Sequence, residues 1–324
     1  MEDIAQNDML VNRELIDNIV NHEDGVVKMA SAATSKVTRT QVREEGFQRA
    51  ILDFEKITND DLDYFGDSEL PGVWFELEPD SPPASSIPYN ASPNSFTYRA
   101  EKYLVLISVL STEEATKNVN HLRTYKTDIR QIVNDNMLRD IHTLEDTAFL
   151  GRVRRLVGST QSTYADGEND VELQNIAMTG ATITRQSLKR AVSYLSDRQL
   201  PFGVNLVNQR TANELLGWKR DEVGGDDAQG MFRKGLSHLD KFEVFGVPFI
   251  STIKRDLVAN GEVFQFTTKD FLGNALMLED ITVTIKKEFD MIRMRAQEQV
   301  GMTIGNSRGL QLLTYGMDGI TTAP

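Results

Sequence analysis

Six of the nine prolines fall between residues 71 and 93. Five of them sit in "PDSPPASSIPYNASP" (79–93), and Pro71 lies just upstream. Proline fixes φ near −65° and has no N–H to give to a sheet, so this stretch is extended and unpaired with its own backbone. A strand-like piece lies on either side, "GVWFELE" before it and "SFTYRAEKYLVLISVL" after it. The pattern predicts a long hairpin over residues 62–103, with arms of about 15 residues that could reach ~50 Å. An excursion of that length is either a loose linker or a segment that works away from its own body. Trp74, Phe75, Tyr89, Phe96 and Tyr98 favour the second, because disordered tracts are poor in aromatics.

Beyond the hairpin the hydrophobic period changes from 2 to 3.6. Ile129, Ile132, Val133, Met137, Ile141, Leu144 and Ala148 trace one face of a helix over residues 125–150, with Arg152, Arg154 and Arg155 just past its end. Upstream, Thr38 with Gln41 resembles a capping box, and Val42, Phe47, Ile51, Leu52 and Phe54 extend an apolar stripe to about Ile57. A first short helical pattern runs through Leu10, Leu15 and Ile19. This opening part has few apolar residues, which predicts that much of it packs on something other than itself.

Downstream, "STQSTYADGENDVE" reads as a loop and "ITRQSLKRAVSYLSDRQL" as a helix. "PFGVNLVNQRTANELLGW" reads as a buried strand, a turn and a short helix. The glycine-rich 222–235 segment reads as a mobile loop. Strands follow at "FEVFGVPFIST", "GEVFQFTT" and "EDITVTIKKEF". From Met291 to Ile304 the alternation is strict: Ile292, Met294, Ala296, Val300 and Met302 face one side, Arg293, Arg295, Gln297 and Gln299 the other. Helices and strands mix without regular βαβ alternation, so the fold class is α+β.

The chain offers no constellation for chemistry. Without cysteine it has no thiolate nucleophile, disulfide or Cys-based zinc site. The histidines fall in four separate elements without ligand spacing, and "VGGDDAQG" lacks the Lys-Ser or Lys-Thr pair of a phosphate loop. The expectation is no catalytic, metal or cofactor site. The net charge of −13, with ten acids against the single base Lys56 between Asp53 and Asp80, disfavours gripping phosphate backbones. No apolar run is long enough to cross a bilayer, and the acidic start lacks a signal-peptide layout, so a soluble protein made in the cytoplasm is expected. A large chain with outward-reaching elements and no site reads as a building block, giving each neighbour the contact it receives.

The order of elements, with "LVLISVLSTEEATKNVNHLRTYKTDIRQIVNDNML" and "GVNLVNQRTANELL…VFGVPFIST", resembles the tailed-bacteriophage major capsid proteins of the Hong Kong 97-type fold, over about residues 40–316. The resemblance implies an N-terminal arm and helix (1–60), an extended β-hairpin loop (61–104) and a peripheral domain (105–175) with its spine helix at 125–150. It further implies an axial domain (176–280) and a return to the peripheral domain through the long strand, with the C-terminus (281–324). Trp74, Phe75, Pro82, Pro83, Tyr89 and Phe96 would lie on a neighbouring subunit, the prolines keeping the loop straight. The acidic run would meet Arg152, Arg154, Arg155, Arg293 or Arg295 of an adjacent copy. Gly224, Gly225, Asp226 and Asp227 would sit in the axial loop near the symmetry axes.

Pentamers and hexamers would close a shell around double-stranded DNA without sequence-specific binding. Assembly would take place in the bacterial host cytoplasm with scaffolding, portal and cement or decoration proteins, and without a membrane. No lysine lies between Lys56 and Lys102, so the isopeptide weld that some members form from this loop is not available, and the shell would be held non-covalently. Two alternatives remain: an encapsulin-type nanocompartment shell, and a soluble α+β enzyme with an unrecognised site.

Overall fold

The computed structural model describes residues 46–63, 70–79, 84, 86–87, 89, 92, 95–97, 101–118, 129–158, 162–163, 174–178, 183–215, 242–244 and 246–316. The expected helices of the first 45 residues, Pro82, Pro83 and the 222–235 loop with Gly224, Gly225, Asp226 and Asp227 lie outside them.

A 29-residue helix, Ile129–Val157, runs through the subunit. At 1.5 Å per residue it is ~44 Å long. It extends beyond the predicted end at 150, so Arg152, Arg154 and Arg155 occupy its last turns instead of following it. The expected apolar face holds at Met137 and Ile141, but Leu144 turns outward while Glu145 and Asp146 are buried. In chain order the elements before it are α1 (Gln48–Ile51), β1 (Phe54–Lys56), β2 (Gly72–Glu76), β3 (Lys102–Leu106), β4 (Ser108–Ser111) and β5 (Ala115–Asn118). The long helix is α2. After it come β6 (Ser162–Thr163), β7 (Asn175–Met178), α3 (Arg185–Asp197), β8 (Phe202–Asn208), α4 (Gln209–Leu215), β9 (Phe242–Val244), β10 (Val247–Thr252), β11 (Glu262–Thr267), α5 (Lys269–Leu272), β12 (Gly273–Glu288), β13 (Met291–Ile304) and β14 (Leu310–Tyr315).

Two sheets share α2. In the five-stranded sheet β1, β12, β13 and β4 follow one another, with β5 also paired to β13. Met137 and Ile141 pack there against Ile285, Ile292, Met294 and Ala296. The predicted bounds and buried face of β13 are both as observed. In the seven-stranded sheet the order is β6-β7-β14-β11-β8-β10-β9. Phe149, Leu150, Val153 and Val157 of the C-terminal half of α2 pack on one of its faces, with Phe149 tilted onto Phe266 at 5.6 Å. On the other face lie Leu188, Ala191 and Tyr194 of α3, a helix capped where Thr184 Oγ1 accepts from the Ser187 N–H. One helix thus binds the two sheets into a single body.

Several expectations change. The stripe predicted as helix to about Ile57 leaves α1 at Leu52 and becomes β1, which pairs in parallel with β12 (Phe54↔Ala275). A sheet edge in reach outweighed the local helical period. Phe47, Ile51 and Leu52 join the subunit's own core, so this piece of the opening segment packs on its own chain. "KYLVLISVL" is two strands: β3 belongs to the hairpin and β4 to the five-stranded sheet. "FEVFGVPFIST" folds back on itself as β9 and β10 around Gly246, whose φ of +73° suits glycine. Strand β12 begins at Gly273, ahead of the expected 279, and residues 162–163 of the expected loop add the short β6. Strand β14, which the sequence reading did not single out, lies inside the seven-stranded sheet between β7 and β11.

Phe149→Ala removes the fully buried ring that joins α2 to the sheet. The expected loss is about 3–5 kcal/mol, read by denaturant unfolding of the isolated subunit.

Candidate assembly interface

The hairpin is antiparallel, pairing Gly72↔Leu106 through Glu76↔Lys102. A further backbone bond, Leu77 N–H to Glu101 C=O, extends it outward at 2.8 Å. Its base is fastened to the body. Tyr103 donates its hydroxyl to Asn274 Oδ1 at 2.5 Å, and Phe75 stacks on Tyr103 with ring centres 5.7 Å apart. Leu106 C=O lies so close to Gly301 that a Cβ there would come within 2.6 Å. Within this fastened ladder Trp74 is still 46% exposed, and along the rest of the excursion Phe96 is 50% exposed and Tyr89 fully. Ile87 is exposed beside them. Large apolar groups on a reaching element, held at its root and uncovered further out, are a surface made to be buried elsewhere.

The five arginines divide. Arg154 is taken up within its own subunit, forking onto Glu262 at 2.6 and 3.0 Å. Arg293 bridges Glu114 at 3.0 Å and Glu288 at 2.5 Å. Arg152 is half-buried and donates to Met302 C=O. Arg155 and Arg295 are exposed, as Arg154 is, and Arg295 donates to Gln297 at 2.8 Å. In the acidic run, Asp53 pairs with Lys269 and Glu76 with Lys102, so part of that charge is also answered within the chain.

Sequence reasoning missed the groups that place the hairpin's support. On α2, Glu145 accepts from Arg49 Nη2 at 2.8 Å and contacts His142 Nδ1 at 3.1 Å. The same Arg49 Nη2 reaches Glu298 of β13 at 2.7 Å, and both carboxyls are fully buried. Next to them Asp146 accepts the Gln48 N–H at 2.8 Å and the Phe47 N–H at 3.3 Å, capping α1, and takes Lys254 as its charge partner. Burial alone would raise Glu145, but hydrogen bonds from His142 and Arg49 with the Arg49 charge outweigh it and hold it at about 2. Burial, then the neighbouring Glu145 charge, pushes Glu298 up to about 8. One signal was available: position 298 falls on the buried face of β13, where the alternation demands an apolar residue.

No family model matches the chain, and no curated protein does. Solved structures do. The capsid of an empty GTA particle is similar at a TM-score of 0.56 and 14% identity, covering 88% of this chain and 95% of that one. The capsid of cyanophage P-SCSP1u matches at 0.59 and 11%, covering 89% and 97%. The capsid of Ralstonia phage GP4 matches at 0.57 and 12%, covering 92% and 98%. The chain has the phage-capsid fold. Its α2, Ile129–Val157, overlaps the stretch 125–150 where a long helix was expected, and the β2–β3 hairpin lies within the stretch expected to reach outward. Among the described residues there is no cluster of metal-ligating side chains, and no helix is long and apolar enough to cross a membrane.

The two carboxyls titrate with opposite sign. Glu298, raised in the folded subunit, keeps a proton that the unfolded chain releases, so stability falls as pH rises from about 4.5 to about 8. Glu145, lowered, contributes fully above about 4.5 and loses its contribution as pH falls toward about 2. Glu298→Gln should leave stability unchanged near pH 5 and flatten the decline to pH 8, by on the order of 2–4 kcal/mol. Melting temperatures of both proteins across that range measure it.

Proposed function

We propose that this chain is a major capsid protein, a structural subunit without enzymatic activity that assembles through non-covalent contacts into an icosahedral shell. The observation that carries this reading is the coverage: capsid subunits match over nine-tenths of this chain and nearly all of their own. The exposed hairpin supports it independently, since in a lone subunit Trp74, Tyr89 and Phe96 leave much of their apolar surface in water. In a shell each hairpin lies on the next copy and receives the same contact from another, the head-to-tail arrangement that closes rings. Pentamers and hexamers are the rings that a closed icosahedral surface requires. Residues 61–104 act as the extended loop, 105–175 with the return strand of 281–324 as the peripheral domain, and 176–280 as the axial domain. The enclosed double-stranded DNA is contained without being read, as the acidic balance of the chain suits. Scaffolding, portal and decoration partners complete the particle in the host cytoplasm.

Where the acidic run meets a neighbour, Arg155 and Arg295 are the better partners, because Arg154 and Arg293 already hold carboxylates of their own subunit.

Expression of the chain, followed by size-exclusion chromatography and electron microscopy, tests the reading. Closed particles are expected, and nucleic acid within particles from infected cells separates a phage shell from a cargo-enclosing compartment. A protein that stays monomeric at all concentrations refutes it. In the same assay, Trp74→Ser with Phe96→Ser, or Arg155→Glu with Arg295→Glu, should suppress particle formation while the monomer's melting temperature stays put. The apolar pair should cost about 2 kcal/mol per contact.

A further inference from the structure

Strands β12 and β13 pair from Gly273↔Ile304 out to Glu288↔Met291, leaving Phe289 and Asp290 as a two-residue turn at the end of the ribbon. Phe289 has φ of +53°, a region in which glycine and asparagine are comfortable and a bulky side chain is rare. Its ring is 89% exposed. An aromatic residue here is doubly unfavourable for the isolated subunit, in backbone conformation and in hydration. With so little of the ring covered, the described residues offset neither cost. Lys286 and Lys287 stand exposed beside it, and Arg293 holds the turn in place by bridging Glu288 to Glu114.

A complementary surface lies on the same protein. Between α2 and the β4–β5 connection runs a groove of about 490 Å3. The buried Met137 and Ile141 form its floor, Val133 and the 41% exposed Leu144 its apolar sides, and Glu113 and Asp140 its acidic rim. The subunit's own Phe289 cannot fill it. Ala115 at the groove pairs with Met294, five residues along β13 from the turn, which places the ring ~17 Å away.

We propose that Phe289 of one copy seats in this groove on a second copy of the chain, with Lys286 and Lys287 meeting Glu113 and Asp140. The occupant follows from both halves: an apolar anchor flanked by positive charge, and an apolar slot rimmed by negative charge. The contact is heterologous, joining two different patches of one surface, so it can repeat from copy to copy and close a ring where the rotation allows. It rests on the shell reading only for the number of copies; the contact itself needs two. It is separate from the hairpin, lying at the opposite end of β12 from the Tyr103–Asn274 attachment.

The absence of cysteine in the chain makes a direct test possible. Phe289→Cys protein is mixed with a size-tagged Leu144→Cys protein and oxidised. A mixed disulfide-linked dimer is expected on a non-reducing gel, well above that formed with Ser193→Cys, an exposed position on α3. Separately, Phe289→Gly should raise or preserve the monomer's melting temperature, because it relieves the turn, yet lower particle yield at least about tenfold. No mixed crosslink above the control, or a normal particle yield from Phe289→Gly, overturns the contact. A mixed crosslink from protein that never forms particles leaves the contact standing and refutes the shell reading instead.

Discussion

Glu145 and Asp146 are consecutive acids on one turn of α2, both removed from water. A buried carboxylate is tolerated only where cations and N–H groups replace its hydration. Those replacements come from three separate places in the chain: Arg49 with the amides of residues 47 and 48, Lys254 between β10 and β11, and the proton held on Glu298 of β13. The acids therefore act as a checkpoint for geometry. A loosely collapsed subunit could satisfy its apolar cores in several ways, but it could satisfy these two side chains in only one. Residues 47–49, α2, β13 and the β10–β11 connection meet at this turn.

The elements that were legible in the sequence are those whose burial is one-sided. The long helix and β13 each bury a single face, so their periods, 3.6 and 2, stand out, and the bounds of β13 could be read to the residue. Buried polar groups were not legible, because a count of apolar positions passes over them. Glu145 and Asp146 displaced Leu144 from the expected face for that reason. Across the centre of the seven-stranded sheet, Asn205, Gln265 and Gln311 pair in register and are all fully buried. Nothing in their local strings marks them as interior. The proline cluster made the hairpin conspicuous, and Trp74, Tyr89 and Phe96 proved exposed as a reaching element requires. The aromatic at 289 was hidden from sequence reasoning, since its meaning lies in a backbone conformation rather than a residue type.

Identities of 11–14% alongside near-complete coverage indicate what this architecture demands of its sequence. In this chain the outline is a helix long enough to span two sheets, a ribbon of matched strands and a hairpin anchored at its root. Particular residues are interchangeable so long as volume and polarity agree.

Strand β14 has a temporal consequence. It pairs in parallel with β7, setting Leu312 against Asn175, and on its other side with β11. The seven-stranded sheet is therefore split until residues 310–315 have left the ribosome, and fragments β6–β7 and β8–β11 remain unjoined throughout synthesis. Closure waits on β14, the last strand among the described residues, and that is the slow, long-range kind of pairing. A chain cut short of β14 would leave β7 and β11 each with an unpaired edge, the kind of edge that invites stray strand pairing.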